Sequence, residues 1–194
     1  MPFFKCPPHS SGLEKAICDW ITLNTKNTID SYSSLTNGFI LTEILSKIDP
    51  NRFDIRQLWK LRNTEDPNTT KDTAFSWNNL SILEGYIKNC WLEEQKKNIF
   101  DFIDVDFTKI YKEADSFSIH QLVSIIFLTV VLLSKNDGAF EMIQSIHNLQ
   151  NKSQSLMANF AEDCVFLYSQ FVQESRAESS INSPARTRCF SIFF

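Results

Sequence analysis

Glycine is almost missing from this chain: four residues in 194, with only six prolines beside them. Turn-rich all-β proteins need both residues often, so their scarcity points to helices joined by short loops. Basic charge is also in short supply. Nineteen Lys and Arg face 23 Asp and Glu, giving a net charge of -4 and a pI near 5.4. Such a balance supplies no electrostatic drive toward nucleic acid, anionic lipid, or acidic filaments such as actin and microtubules. No apolar run reaches the ~20 residues of a membrane span. The strongest, Leu122–Leu133 (LVSIIFLTVVLL), falls short of that and reads as a helix buried on all sides at the centre of a globular core. The N-terminus (MPFFKCPP) has no long apolar stretch of the kind a signal peptide carries. Five cysteines, at 6, 18, 90, 164 and 189, are odd in number and scattered. Together these features imply an intracellular chain with free thiols, in which the sequons at Asn68, Asn79 and Asn151 stay unglycosylated.

What is present in abundance is packing material. Hydrophobic residues make up 43% of the chain, 17 of them phenylalanine, enough for one sizeable core and one domain. An N-terminal arm (1–10) precedes a first helix that begins after Ser10 or Ser11 and buries Leu13, Ala16, Ile17, Trp20 and Ile21. A second helix is expected from about Ser34 to Ile48, ended by Asp49-Pro50 because a residue before proline avoids helical geometry. Gly38, within LTNGF, is read as a point of close helix approach, since a phosphate cradle needs further glycines that do not follow. A short helical piece is expected around Ile55 to Leu61, then an exposed loop over Arg62 to Thr73. A long helix from about Phe75 to Trp91 places Trp77, Leu80, Leu83, Ile87 and Cys90 or Trp91 on one face. Short helices around Ile99, Phe102, Val105, Phe107 and Ile110 lead to Ser118-Ile-His-Gln121, which fits a capping box opening the all-apolar helix. Two further helices follow, Ala139 to Leu149 and about Ser153 to Val172. The foldable unit is thus 11–173, and 174–194 is polar enough to be a disordered tail. Its ending, Cys189-Phe-Ser-Ile-Phe-Phe, is no prenylation box, because the cysteine sits too far from the terminus.

The residues that carry chemistry elsewhere do not assemble into catalytic patterns. Cys6-Pro-Pro-His9 has tolerable ligand spacing but no second Cys/His pair, so no metal is expected. Asp104-Val-Asp106 lacks the glycine and the twelfth-position glutamate of a calcium loop. His120 and His147 read as cap or surface histidines. There is no nucleophile elbow and no nucleotide-binding glycine pattern, so no enzyme and no cofactor are expected.

Taken in order, LEKAICDWI, LTNGFILTEILSKIDPNRFD, WNNLSILEGYI, the all-apolar helix and FEMIQSIHNLQNKSQSLMANFAEDC resemble the N-terminal domain of the Hook and girdin group of cargo adaptors. The likeness spans about residues 13 to 172. It implies an all-α, calponin-homology-like single domain with extra C-terminal helices, working by binding in the cytoplasm on the cytoskeleton, at microtubules, a centrosome or a spindle pole. By the same resemblance the partner is an amphipathic helix of the dynein light intermediate chain, received in an apolar groove formed with the last helix. Gln154 falls where the family has an important glutamine; seven positions on, Ala161 stands where Hook members carry isoleucine. A helix-in-groove contact needs an apolar trough and a few polar groups to set register. Ile146, Leu149, Met157, Phe160 and Ala161 suit the trough and Gln154 the rim, although the same spacing equally serves to pack the last helix on the core. Direct binding to microtubules or actin, and an anchoring role without dynein, are the alternatives. Microtubule-associated or cargo proteins are further partners consistent with the resemblance; nucleic acid and membrane insertion are not expected.

Overall fold

The computed structural model describes residues 6–25, 27–58 and 72–179, with side chains throughout except at 72–73 and 174–179. Seven helices organise it: α1 (Ser11–Asn24), α2 (Phe39–Ile48), α3 (Asp72–Gln95), α4 (Phe107–Glu113), α5 (Ser116–Leu132), α6 (Asp137–Gln144) and α7 (Asn151–Ser179). Short 3₁₀ turns at Tyr32–Leu35, Ile99–Asp101 and Ser145–Asn148 connect them. No strand occurs among the described residues, as the shortage of glycine and proline implies.

Helix α5 is the axis of the fold. Every residue from Ser118 to Val131 except the half-buried Gln121 is buried, including four polar ones. Ser124 and Thr129 donate their hydroxyls to the carbonyls one turn back, His120 and Ile125, at 2.8 Å each. Thr129 Oγ1 also accepts from Trp91 Nε1 of α3 at 3.0 Å. A chain of edge-to-face rings then ties the layers together: Trp20 to Phe127 to Phe160, with centroids 5.4 and 5.3 Å apart. A second chain joins Trp91, Phe171 and Phe102 at 4.9 and 4.7 Å. Such pairs are worth about 0.5–1.5 kcal/mol each beyond the area they bury.

Several element boundaries differ from the sequence reading, each for a local reason. The second helix starts at Phe39, because Tyr32–Leu35 closes as a separate turn and Gly38 takes φ +69°. Asn37 Oδ1 accepts from Phe39 N at 3.0 Å, so Asn-Gly does make a turn after all. Close approach holds as well, since a Cβ on Gly38 would sit 3.1 Å from Leu80 Cδ2. The buried helix opens at Ser116, not at a Ser118 capping box. Asp115 is its cap, and its Oδ2 accepts from both the amide and the hydroxyl of Ser118 at 2.8 and 2.7 Å. A carboxylate is the stronger acceptor and claimed the serine. Asp106 caps α4 in the same way, through Lys109 N at 3.0 Å.

Trp77 does not join the buried face of α3; it is 44% exposed and rests against Tyr111 of α4 at 5.3 Å. The helix begins at Asp72, earlier than Phe75, so the end of the loop expected to run to Thr73 is helical. Ile55 is in a turn that leads into a helical turn at 56–58, and residues 59–61 of the expected piece lie outside the described residues, as do 62–71. The helix expected to run from Ala139 to Leu149 divides into α6 and the Ser145–Asn148 turn. The last helix passes Glu174, where the tail was placed, and continues to Ser179; residues 180–194 lie outside the described residues. Asn79 of the second sequon is fully buried on α3, closed to modification in the folded state.

Two glycines test this packing in opposite directions. A Cβ on Gly138, in the first turn of α6, would lie 2.7 Å from the carbonyl oxygen of Lys47 at the end of α2. Gly138→Ala is expected to cost about 1–3 kcal/mol in denaturant melts, as overpacking does. Nothing lies within 4 Å of a Cβ at Gly85 on α3, so Gly85→Ala should stabilise by about 0.5–1 kcal/mol.

Candidate partner-binding face

The face suggested by the sequence is built by the corner between α6 and α7. Helix α6 ends on a set of bonds to α1: Trp20 Nε1 donates to Met142 O at 3.0 Å, and Asn24 Nδ2 to Ser145 Oγ at 2.7 Å. Ser145 Oγ in turn donates to Met142 O at 2.6 Å. These bonds prevent α6 from continuing and roll the chain into the Ser145–Asn148 turn. Leu149 leaves that turn extended (φ -73°, ψ 158°), its amide bonded to Ile146 O at 3.2 Å. Helix α7 then starts at Asn151 and is tied to α1 by Ser153 Oγ, which donates to Asp19 Oδ2 at 2.7 Å.

Within this corner the expected residues separate into two groups. Gln154 and Leu149 are half-buried and border solvent. The Gln154 side-chain amide has no hydrogen-bond partner among the described residues, while its backbone N–H donates to Gln150 O at 2.7 Å. Ile146, Met157, Phe160 and Ala161 are buried, at 6%, 0%, 1% and 7% exposure. Phe160 sits in the ring chain on Phe127 and against the His120 ring at 5.9 Å. As folded, these four pack the corner and α7 onto the core, and a foreign helix does not reach them. Half-buried Leu149 precedes Gln154, and half-buried Ala158 lies one turn along on the same flank; half-buried Leu156 lies on the other flank of α7. Leu156 lies close to Gly12 of α1, whose added Cβ would be 3.5 Å from Leu156 Cδ1.

A pocket does exist on α7, about four to five turns beyond Gln154. It is lined by Trp91, Ile99, Ile103, Leu128, Leu167, Tyr168 and Phe171 and holds about 10 Å³. A volume near that of one water probe cannot take a side chain of a partner helix.

His120 corrects the sequence reading most sharply. It is not at a cap or on the surface but fully buried on α5. Its Nε2 lies 2.9 Å from Pro7 O, and its Nδ1 lies 2.9 Å from Tyr32 Oη. A carbonyl only accepts, so Nε2 carries the hydrogen and Nδ1 accepts from the tyrosine hydroxyl: a neutral ring with both nitrogens used. Nothing in the sequence marks this histidine apart from its place inside an apolar helix. His147 is exposed, as expected. Burial also pushes the Cys6 and Cys90 thiols up to about 11, and Cys164 well above the usual thiol range, so all three stay protonated. Among the described residues no three His, Cys, Asp or Glu side chains gather as a metal site. No described helix is long and apolar enough to cross a membrane.

An all-helical globule with this order of elements defines the class, a calponin-homology-like helical domain. A sequence model of the HOOK domain matches residues 13–162, well over half of the chain, and the chain belongs to that family of cytoskeletal and cargo adaptor domains. The solution structure of the conserved domain of the HOOK1 protein from mouse superimposes with a TM-score of 0.62 at 18% identity, covering 84% of this chain and 95% of that one. At that identity the likeness speaks for the fold. No curated protein matches the chain by sequence.

The neutrality of His120 has a consequence in solution. Desolvation holds its pKa below the ordinary 6.5, and the nearby His9 adds to this; the Pro7 carbonyl and Glu14 oppose it. The unfolded chain therefore takes up the proton first as pH falls. The stability that this ring contributes is complete above about 6.5 and is lost on the way down through the folded-state value. His120→Gln, which keeps a donor and an acceptor without titrating, should flatten the dependence of unfolding free energy on pH between 7 and 5. Equal slopes in the two proteins would refute this.

Proposed function

We propose that this chain is a non-enzymatic adaptor domain that receives an amphipathic helix of the dynein light intermediate chain at the α6–α7 corner, linking the motor to a cargo or a cytoskeletal site in the cytoplasm. The observation that carries the reading is the unengaged, half-exposed amide of Gln154, standing inside the segment that the HOOK match covers. An amide at the edge of an apolar strip can give and take a backbone hydrogen bond from an incoming helix and so set its register. Leu149 and Ala158 supply apolar surface at that edge, and buried Met157 and Ala161 follow at i+3 and i+7 on the same helix.

Direct filament binding has no such support. The net charge of -4 repels a negatively charged lattice.

Calorimetric titration of the 194-residue protein with a light-intermediate-chain helix peptide should show micromolar binding. Gln154→Ala is expected to weaken it about tenfold, the worth of one interfacial hydrogen bond, while leaving the thermal midpoint unchanged. A peptide that fails to bind at millimolar concentration eliminates this partner.

A further inference from the structure

We propose that the N-terminal arm is a strap, holding α7 closed against α5 and thereby controlling access to Met157, Phe160 and Ala161. The link to access rests on the function proposed above; the strap itself rests only on geometry.

Residues 6–10 of the arm belong to no helix, yet Cys6 and Pro7 are inserted. Pro7 is buried and Cys6 half-buried, packed against the core. The Pro7 carbonyl is held by His120 Nε2 at 2.9 Å. One turn further along α5, the Ser124 hydroxyl meets the Cys6 thiol. Cys6 therefore lies against α5. At the other end of the arm, His9 Nε2 reaches Glu14 Oε2 of α1 at 3.2 Å, and its ring rests on His120 at 5.3 Å and Tyr32 at 5.8 Å. The His120 ring continues the stack to Phe160 at 5.9 Å. From arm to α7 the contact is continuous: Pro7, His120, Phe160.

The arm has few fastenings of its own. Proline nitrogens at 7 and 8 have no hydrogen to donate, and Pro8, His9 and Ser10 are exposed. A segment with few bonds and much exposed backbone opens before the helices it touches. The paired prolines limit the freedom the arm gains when it leaves, so it returns readily. Removing it uncovers the edge of His120, the ring that packs on Phe160, while Ser153–Asp19 still holds the beginning of α7. Helix α7 can then lift from its middle without the domain unfolding.

The test is amide hydrogen exchange across the full chain. Four proteins are compared: the native chain, one lacking residues 1–8, Cys6→Asp, and Pro8→Gly, whose exposed site leaves every contact in place. Loss of residues 1–8, and Cys6→Asp, should each speed exchange over residues 157–164 by about tenfold, as loss of one buried hydrogen bond implies. Residues 80–91 of α3 should stay as protected as in the native chain. Pro8→Gly should speed the same segment by about two- to fivefold through a freer arm. Unchanged protection over 157–164 in all three overturns the strap, as does an equal loss over α3, which makes the arm ordinary core. The light-intermediate-chain peptide, added to each, reads the other half: its affinity should rise in step with exchange. Faster exchange with no peptide binding in any protein keeps the strap and removes the proposed partner.

Discussion

Helix α5 has no polar side, and a helix with no polar side must be covered all the way round. Every other element satisfies part of that demand. Helices α2, α4, α6 and α7 and the Tyr32–Leu35 turn all pack on it, and α3 reaches it through Trp91 and Thr129. The arrangement therefore depends less on any one neighbour than on completing the enclosure. This explains how a chain with so few glycines accepts one at 138, where α6 passes over the Lys47 carbonyl and a methyl group would not fit.

The polar groups of α5 decide where the cover sits. Ser124 and Thr129 turn inward and bond to their own helix, which removes them from competition. His120 cannot do so, having two ring nitrogens to satisfy in a dry environment, and it recruits Tyr32 from one side and the arm from the other. An unpaired buried donor costs about 1–3 kcal/mol, which is the incentive for an otherwise irregular segment to stay in place. The same residue that closes the core thus touches both the arm and Phe160, and packing and access at α7 become one question. An adaptor that hides its apolar contacts when empty avoids the exposed patch that would invite non-specific association.

How far the residues themselves announced this can be followed element by element. The apolar periodicity of α1, the interior of α3, and the apolar run of α5 have one solution each, and the residues alone display it. Boundaries were less so, because capping groups compete. Asp115 and Ser118 both have the chemistry to start α5, and only the geometry of the preceding left-handed Ala114 (φ 51°) brings the carboxylate into range. Trp77 follows the spacing of the buried face but rests on Tyr111, since α4 covers only part of that flank. For the candidate face, helical spacing could not separate a trough from a core contact. Met157 and Gln154 are three apart on one helix, yet one is sealed and the other open.

What the amino-acid order determined alone was local and compositional: all helices, one core, no enzyme-like constellation, and a family likeness spread along most of the chain. Periodicity and glycine content act within a few residues, so they survive without knowledge of neighbours. Tertiary structure alone decided that His120 is a buried hub, that Pro7 is bonded to it, and that the Gln154 amide has no partner among the described residues while Phe160 does not see solvent. Each of those depends on partners more than thirty residues away in sequence, and burial is set by what the rest of the chain places overhead.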